Sequence, residues 1–161
     1  MSFIQLNEAE ERLARYLGKR RYSNNRKEGV ADAQVGKQTK EEIDLQGVAG
    51  EIAVAKHLNL YPDLGVEVRS GSWDLRTHSG LTIDVKTTSY HSGKLVAPMG
   101  TSLGKADVYV LVVGKIPTFR IVGWAFAKSL VDESRIADLG YGPTYALEQE
   151  WLEKPERLRD L

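Results

Sequence analysis

The sequence predicts a single-domain α/β protein, and three observations carry that expectation. Residues 44–60 place Leu45, Val48, Ile52, Ala55 and Leu58 at helical spacing. Residues 73–89 read as two strands joined by the turn Thr77-His78-Ser79-Gly80. Residues 108–113, Val-Tyr-Val-Leu-Val-Val, form a continuous, mostly β-branched run, the pattern of a strand buried on both faces. A chain of 161 residues is long enough for one core, and 42% hydrophobic with 27% charged residues is a globular balance, not that of a disordered or coiled-coil chain.

The other elements follow in chain order. Asn7 and Glu10 have the spacing of a capping box with Asn in the cap, and Ala9, Leu13, Tyr16 and Leu17 recur behind it, predicting a first helix to about residue 20. Residues 22–40 are polar with little periodicity and read as a long connection. The helix over 44–60 stops before Pro62. Short strands are expected at 66–69, 73–77 and 81–89, the last two forming a hairpin. Residues 95–105, with Pro98, Gly100 and Gly104, read as irregular. A strand at 119–126, a short helix at 128–139 and a terminal helix at 148–158, interrupted at Pro155, complete the reading. The chain thus divides into an N-terminal helix and basic loop (1–40), a core (44–126) and a C-terminal helical extension (127–161).

Composition narrows the chemistry. With no cysteine, disulfide scaffolds, thiolate zinc sites and cysteine nucleophiles are excluded. No apolar run approaches the ~20 residues of a membrane helix, and residues 1–11 lack a signal peptide's basic start and apolar stretch. A soluble cytoplasmic protein without a membrane partner is expected. The formal net charge is zero but unevenly spread. Between Arg12 and Lys40, nine basic residues face only Glu28 and Asp32, a local charge of +7. A positive face of this kind suits nucleic-acid phosphates, with Arg20, Arg21, Arg26, Lys27, Lys37 and Lys40 as candidate contacts.

Four acid and base positions stand out. Asp84 and Lys86 are two apart on a predicted strand and leave the same face, which Thr88 shares. Asp74 falls on the partner strand close to residues 83–85, and Glu51 follows Gly47-Val48-Ala49-Gly50, small residues that let its helix pack closely on the sheet. An acidic-X-Lys triplet alone says little, since chance gives roughly 1.5 in this composition and the chain has one. Its setting inside a strand says more, because a carboxylate and an ammonium in a sheet cost several kcal/mol unless paired or ligated. Three carboxylates around one lysine are an excess of negative charge, which a divalent cation relieves, and oxygen-only ligands suit Mg²⁺ or Mn²⁺. His57, His78 and His91 show no zinc-ligand spacing, and Tyr109 and Trp124 read as core residues.

Glu51 on a helix, Asp74 opening the second strand and Asp84-Val85-Lys86 on the third resemble the PD-(D/E)XK nuclease superfamily over about residues 44–126. The resemblance implies a restriction-endonuclease-like αβββαβ core, a mixed central sheet flanked by helices. Trp73 stands where the motif's name has Pro, and the helix expected between the third and fourth strands is poorly signalled by 95–105. By the resemblance, Asp74, Asp84 and the Val85 carbonyl ligate Mg²⁺ or Mn²⁺, with Glu51 as a direct or water-mediated ligand. Lys86 positions or deprotonates the attacking water, or stabilises the phosphorane. The implied activity is hydrolysis of DNA phosphodiesters by a structure-selective or weakly specific endonuclease. A chain this short implies a homodimer or a partner protein for cutting two strands. The alternative is a non-catalytic nucleic-acid- or protein-binding module on the same fold. A hydrolase of small nucleotides finds no Gly-rich phosphate loop to support it.

Overall fold

The computed structural model describes residues 3–27, 39–66 and 73–161. The described residues form a mixed α/β protein of two long helices, a five-stranded mixed sheet and a three-stranded antiparallel sheet. Strand β1 (Phe3–Gln5) leads into α1 (Glu8–Lys27) and α2 (Lys40–Leu58), followed by the hairpin of β2 (Leu75–Arg76) and β3 (Thr82–Thr88). Next come β4 (Leu95–Pro98), β5 (Val108–Lys115), β6 (Thr118–Phe126), the four-residue α3 (Ala127–Leu130), β7 (Ile136–Asp138) and β8 (Pro143–Leu147). The large sheet runs β1-β6-β5-β3-β2, with β3 parallel to β5 and all other pairs antiparallel; the small sheet runs β4-β8-β7.

β5 is the sheet centre that its apolar run predicts, buried from Val108 to Val113. Its alternation divides the core. Val108, Val110 and Val112 pack with Val48, Ile52 and the rest of the helical layer, while Tyr109 and Leu111 pack with Leu95, Ala97, Leu130 and Leu147 on the other face. β3 follows the same rule: Ile83 and Val85 belong to the helical side, so Asp84 and Lys86 leave on the opposite face. α2 approaches β3 closely because Gly50 carries no side chain; a Cβ there would lie 2.0 Å from Thr87 Oγ1.

Several sequence expectations hold in detail. The capping box forms, with Glu10 N–H donating to Asn7 Oδ1 at 2.9 Å and Asn7 N–H to Glu10 Oε1 at 2.8 Å. α2 starts at a Thr39 cap, whose Oγ1 accepts from Glu42 N–H, and ends with Asn59 in the left-handed region at φ 55°. Others need correction. The first helix runs to Lys27, not 20, because Arg21 and Asn24 hydrogen-bond the carbonyls of Asp63, Gly65 and Val66 and anchor the extra turns by tertiary contact. The strand expected at 66–69 lies, after Val66, outside the described residues, as does most of the basic connection.

Residues 95–105 are not wholly irregular, and they hold no helix of the kind the nuclease resemblance implies between β3 and β5. Leu95–Pro98 forms β4, which pairs with β8 through Leu95 opposite Leu147, a partner that no local spacing reveals. The C-terminal extension is not helical either. After α3, the Asp132 carboxylate accepts from Ser134 N–H, a local bond that competes with helix continuation, and the chain returns as β7 and β8. Beyond β8, Glu153 exchanges backbone hydrogen bonds with Trp124 at 2.8 and 3.2 Å, which pins the chain to β6 and leaves only short 3-10 turns at Gln149–Trp151 and Pro155–Asp160.

Candidate functional site

The hairpin brings Asp74, Asp84 and Lys86 together as the sequence predicts. Asp74 immediately precedes β2, its N–H donating to Ile83 O, and its Oδ2 accepts from Val85 N–H at 2.7 Å. Within a strand, N–H and C=O of one residue point to the same side, so the Val85 carbonyl shares this edge with Asp74. Asp84 is buried, 3% exposed, and meets two ammonium groups. Lys86 Nζ lies 2.9 Å from Oδ1, a close ionic contact without hydrogen-bond alignment, and Lys105 Nζ lies 2.9 Å from Oδ2. Asp74, Asp84, Lys86 and Lys105 are thus formally neutral as a group, and the excess of negative charge expected from the sequence is corrected.

Tyr109 completes the cluster. Parallel pairing sets it beside Asp84, and its hydroxyl is fully buried without a hydrogen-bond partner. Burial first, then the negative charges of Asp84 and Asp74, pushes the phenol up to about 12. The unfolded phenol ionises near 10, so from about pH 10 to 12 the unfolded chain sheds this proton before the folded one does, and stability falls as pH rises through that window. Urea denaturation at successive pH values should show the fall in the wild type and a shallower one in Tyr109→Phe, with neutral-pH stability of that variant unchanged or raised because an unpartnered buried hydroxyl has gone.

Glu51 is placed elsewhere. It sits on α2, which packs on the face of β3 away from Asp84, and pairs with Arg21 at 3.1 Å. Arg21 is corrected as a nucleic-acid contact: it is 7% exposed, with Nε and Nη2 donating to the carbonyls of Gly65 and Asp63, each at 2.8 Å. Its position on the buried side of an amphipathic helix explains this. Arg20, about a third of a turn from the core stripe, is exposed and lies over the Tyr16 ring, and Lys40 is exposed at the start of α2. Lys37 and the side chains of Arg26 and Lys27 lie outside the described residues. Thr88 ends β3, and its Oγ1 accepts from Tyr90 N–H at 3.2 Å.

Lys105 and Tyr109 escaped the sequence reading. Lys105 lies in a Gly-containing stretch with no local spacing to Lys86, and only the parallel β3–β5 pairing delivers it to Asp84. Among the described residues, no three His, Asp or Glu side chains converge as a metal-holding group. His57 and His78 do line a common cleft of about 610 Å³, with Asn59, Thr77 and Arg159. Burial and the neighbouring Arg159 hold His57 below its usual range.

The chain belongs to the family described as "Family of unknown function (DUF5843)", whose model matches residues 2–116. The match spans α1, α2, the hairpin and β5, and so includes every member of the Asp84 cluster. No curated protein matches the chain. Among the described residues, no helix is long and apolar enough to cross a membrane.

Proposed function

We propose that the chain is a metal-dependent nuclease that hydrolyses DNA phosphodiester bonds, acting as a structure-selective or weakly specific endonuclease on a restriction-endonuclease-like core. The observation that carries this reading is the convergence of Asp74, the buried Asp84, the Val85 carbonyl and Lys86 at one edge of a mixed sheet. This donor set is made of hard oxygens and fits Mg²⁺ or Mn²⁺. Two buried polar atoms, Asp84 Oδ1 and the Tyr109 hydroxyl, lack hydrogen bonds, as expected of a centre that accommodates a further ligand. Asp74, Asp84 and the Val85 carbonyl would hold the ion, and Glu51 drops out of the expected set as a partner of Arg21.

The ion, when bound, supplies an acidified water and charge neutralisation for phosphoryl transfer. Lys86, a quarter exposed beside Asp84, presents an ammonium to the same space and stabilises charge developing on the phosphate. Arg15, Lys19 and Arg20 are exposed on one side of α1 and offer contacts to backbone phosphates. A homodimer or a partner protein would supply the second cut of a duplex.

One observation favours the non-catalytic binding module instead: both oxygens of Asp84 are already met by ammonium groups, so its charge is balanced without an ion. A single assay separates the two. Supercoiled plasmid and labelled single-stranded, duplex and branched DNA are incubated with the protein in Mg²⁺ or Mn²⁺, with and without EDTA. The nuclease reading expects cleavage that EDTA abolishes; intact DNA throughout, with binding retained, supports the module.

A further inference from the structure

We propose that Lys105 is a second working cation of the Asp84 centre: it competes with the divalent ion for Asp84 and, once displaced, receives a substrate phosphate. The inference rests on the metal-dependent reading and deepens it. Lys105 is held by a carboxylate only 3% exposed, yet its own side chain keeps 22% of its surface in solvent, as Lys86 keeps 26%. Both ammonium groups therefore stand between a buried anion and the outside, the side from which ion and substrate arrive. The two contacts use different oxygens of the same carboxylate, so an ion taking Asp84 displaces charge from one or both.

Charge counting gives the direction. Among the described residues the centre brings together two carboxylates and two ammonium groups; a bound divalent cation adds two positive charges, which makes it a poorer place for a bare cation and a better one for a phosphodiester. An ammonium freed from Asp84 has no reason to leave if an anionic oxygen arrives to replace the one it lost. The Tyr109 hydroxyl belongs to the same centre. It is fully buried, without a partner, beside Asp84, and such a group costs free energy until a ligand accepts its proton.

The proposal sets two effects of one substitution in opposite directions. Lys105→Met removes a competitor for Asp84, so titration calorimetry with Mn²⁺ alone should show binding tightened by roughly tenfold, the equivalent of about 1.4 kcal/mol. The same variant should bind a labelled DNA duplex more weakly than wild type by a similar factor of roughly ten when Ca²⁺ is present and turnover is avoided. Lys105→Arg keeps the charge and should stay near wild type in both, and circular dichroism melts confirm that each variant is folded. If the wild type binds Mn²⁺ but Lys105→Met binds it no more tightly, or if DNA binding is unchanged, the role of Lys105 is overturned and the nuclease reading stands. If neither protein binds Mn²⁺ while both are folded, the metal-dependent reading fails and takes this role with it.

Discussion

Replacing Arg21 with alanine is expected to destabilise the folded chain by about 3–5 kcal/mol, the range for removing one partner of a buried ion pair. The side chain is 7% exposed and ties three elements together, because its guanidinium, on α1, meets Glu51 of α2 and the carbonyls of Asp63 and Gly65 in the segment that follows α2. Alanine leaves two carbonyls and a carboxylate oxygen short of a charged donor in a part-buried setting, and the last turns of α1 lose an anchor. Lysine should rescue little, since an ammonium cannot reproduce donations from Nε and both terminal nitrogens in one plane. Arg20→Ala, one residue away on the exposed side, should change stability by less than about 0.5 kcal/mol. Urea denaturation of the two variants measures the difference. Equal, small effects would return Arg21 to the surface charge from which the sequence could not distinguish it.

Arg21 also shows where the sequence was legible. Periodicity and capping are local, so α2, the Asn7–Glu10 capping box, the hairpin turn and the buried strand β5 were all readable from spacing. The Asp74–Asp84–Lys86 grouping was readable for the same reason, since a short antiparallel turn sets one residue opposite another. What failed was set by distant partners. β4 exists because Leu147 lies opposite Leu95, and the terminal segment is not helical because Glu153 pairs with Trp124. Lys105 reaches Asp84 only through a parallel strand pair, which requires a long crossover and leaves no short spacing in the chain. Spacing alone puts Glu51 on α2, where it stands, but strand alternation puts the hairpin acids on the other face of β3. A net-charge count does not separate Arg21 from its neighbours, because charge alone does not say which side of a helix faces inward.

Asp84→Asn and Lys86→Met should both lose DNA cleavage, by roughly 10²–10³-fold or more for Lys86→Met, the scale of deleting one preorganised charge from a transition state. The two losses have different origins, and Mn²⁺ binding separates them. Asparagine at 84 removes the charged oxygen that a hard cation needs and leaves Lys86 and Lys105 without the carboxylate that pairs them, so both metal affinity and cleavage should vanish. Methionine at 86 keeps both carboxylates, removes a positive charge 2.9 Å from Asp84 Oδ1 and should bind Mn²⁺ at least as tightly as wild type while failing to cut. Because Lys105 still covers the other oxygen, Lys86→Met should remain folded, with a stability change of about 1 kcal/mol. Calorimetry and plasmid nicking on the same preparations test the pair. A Lys86→Met protein that cuts at the wild-type rate would mean that its ammonium serves only to neutralise Asp84, and the cluster would then be an ion-paired element of the sheet edge, with catalysis housed elsewhere in the chain.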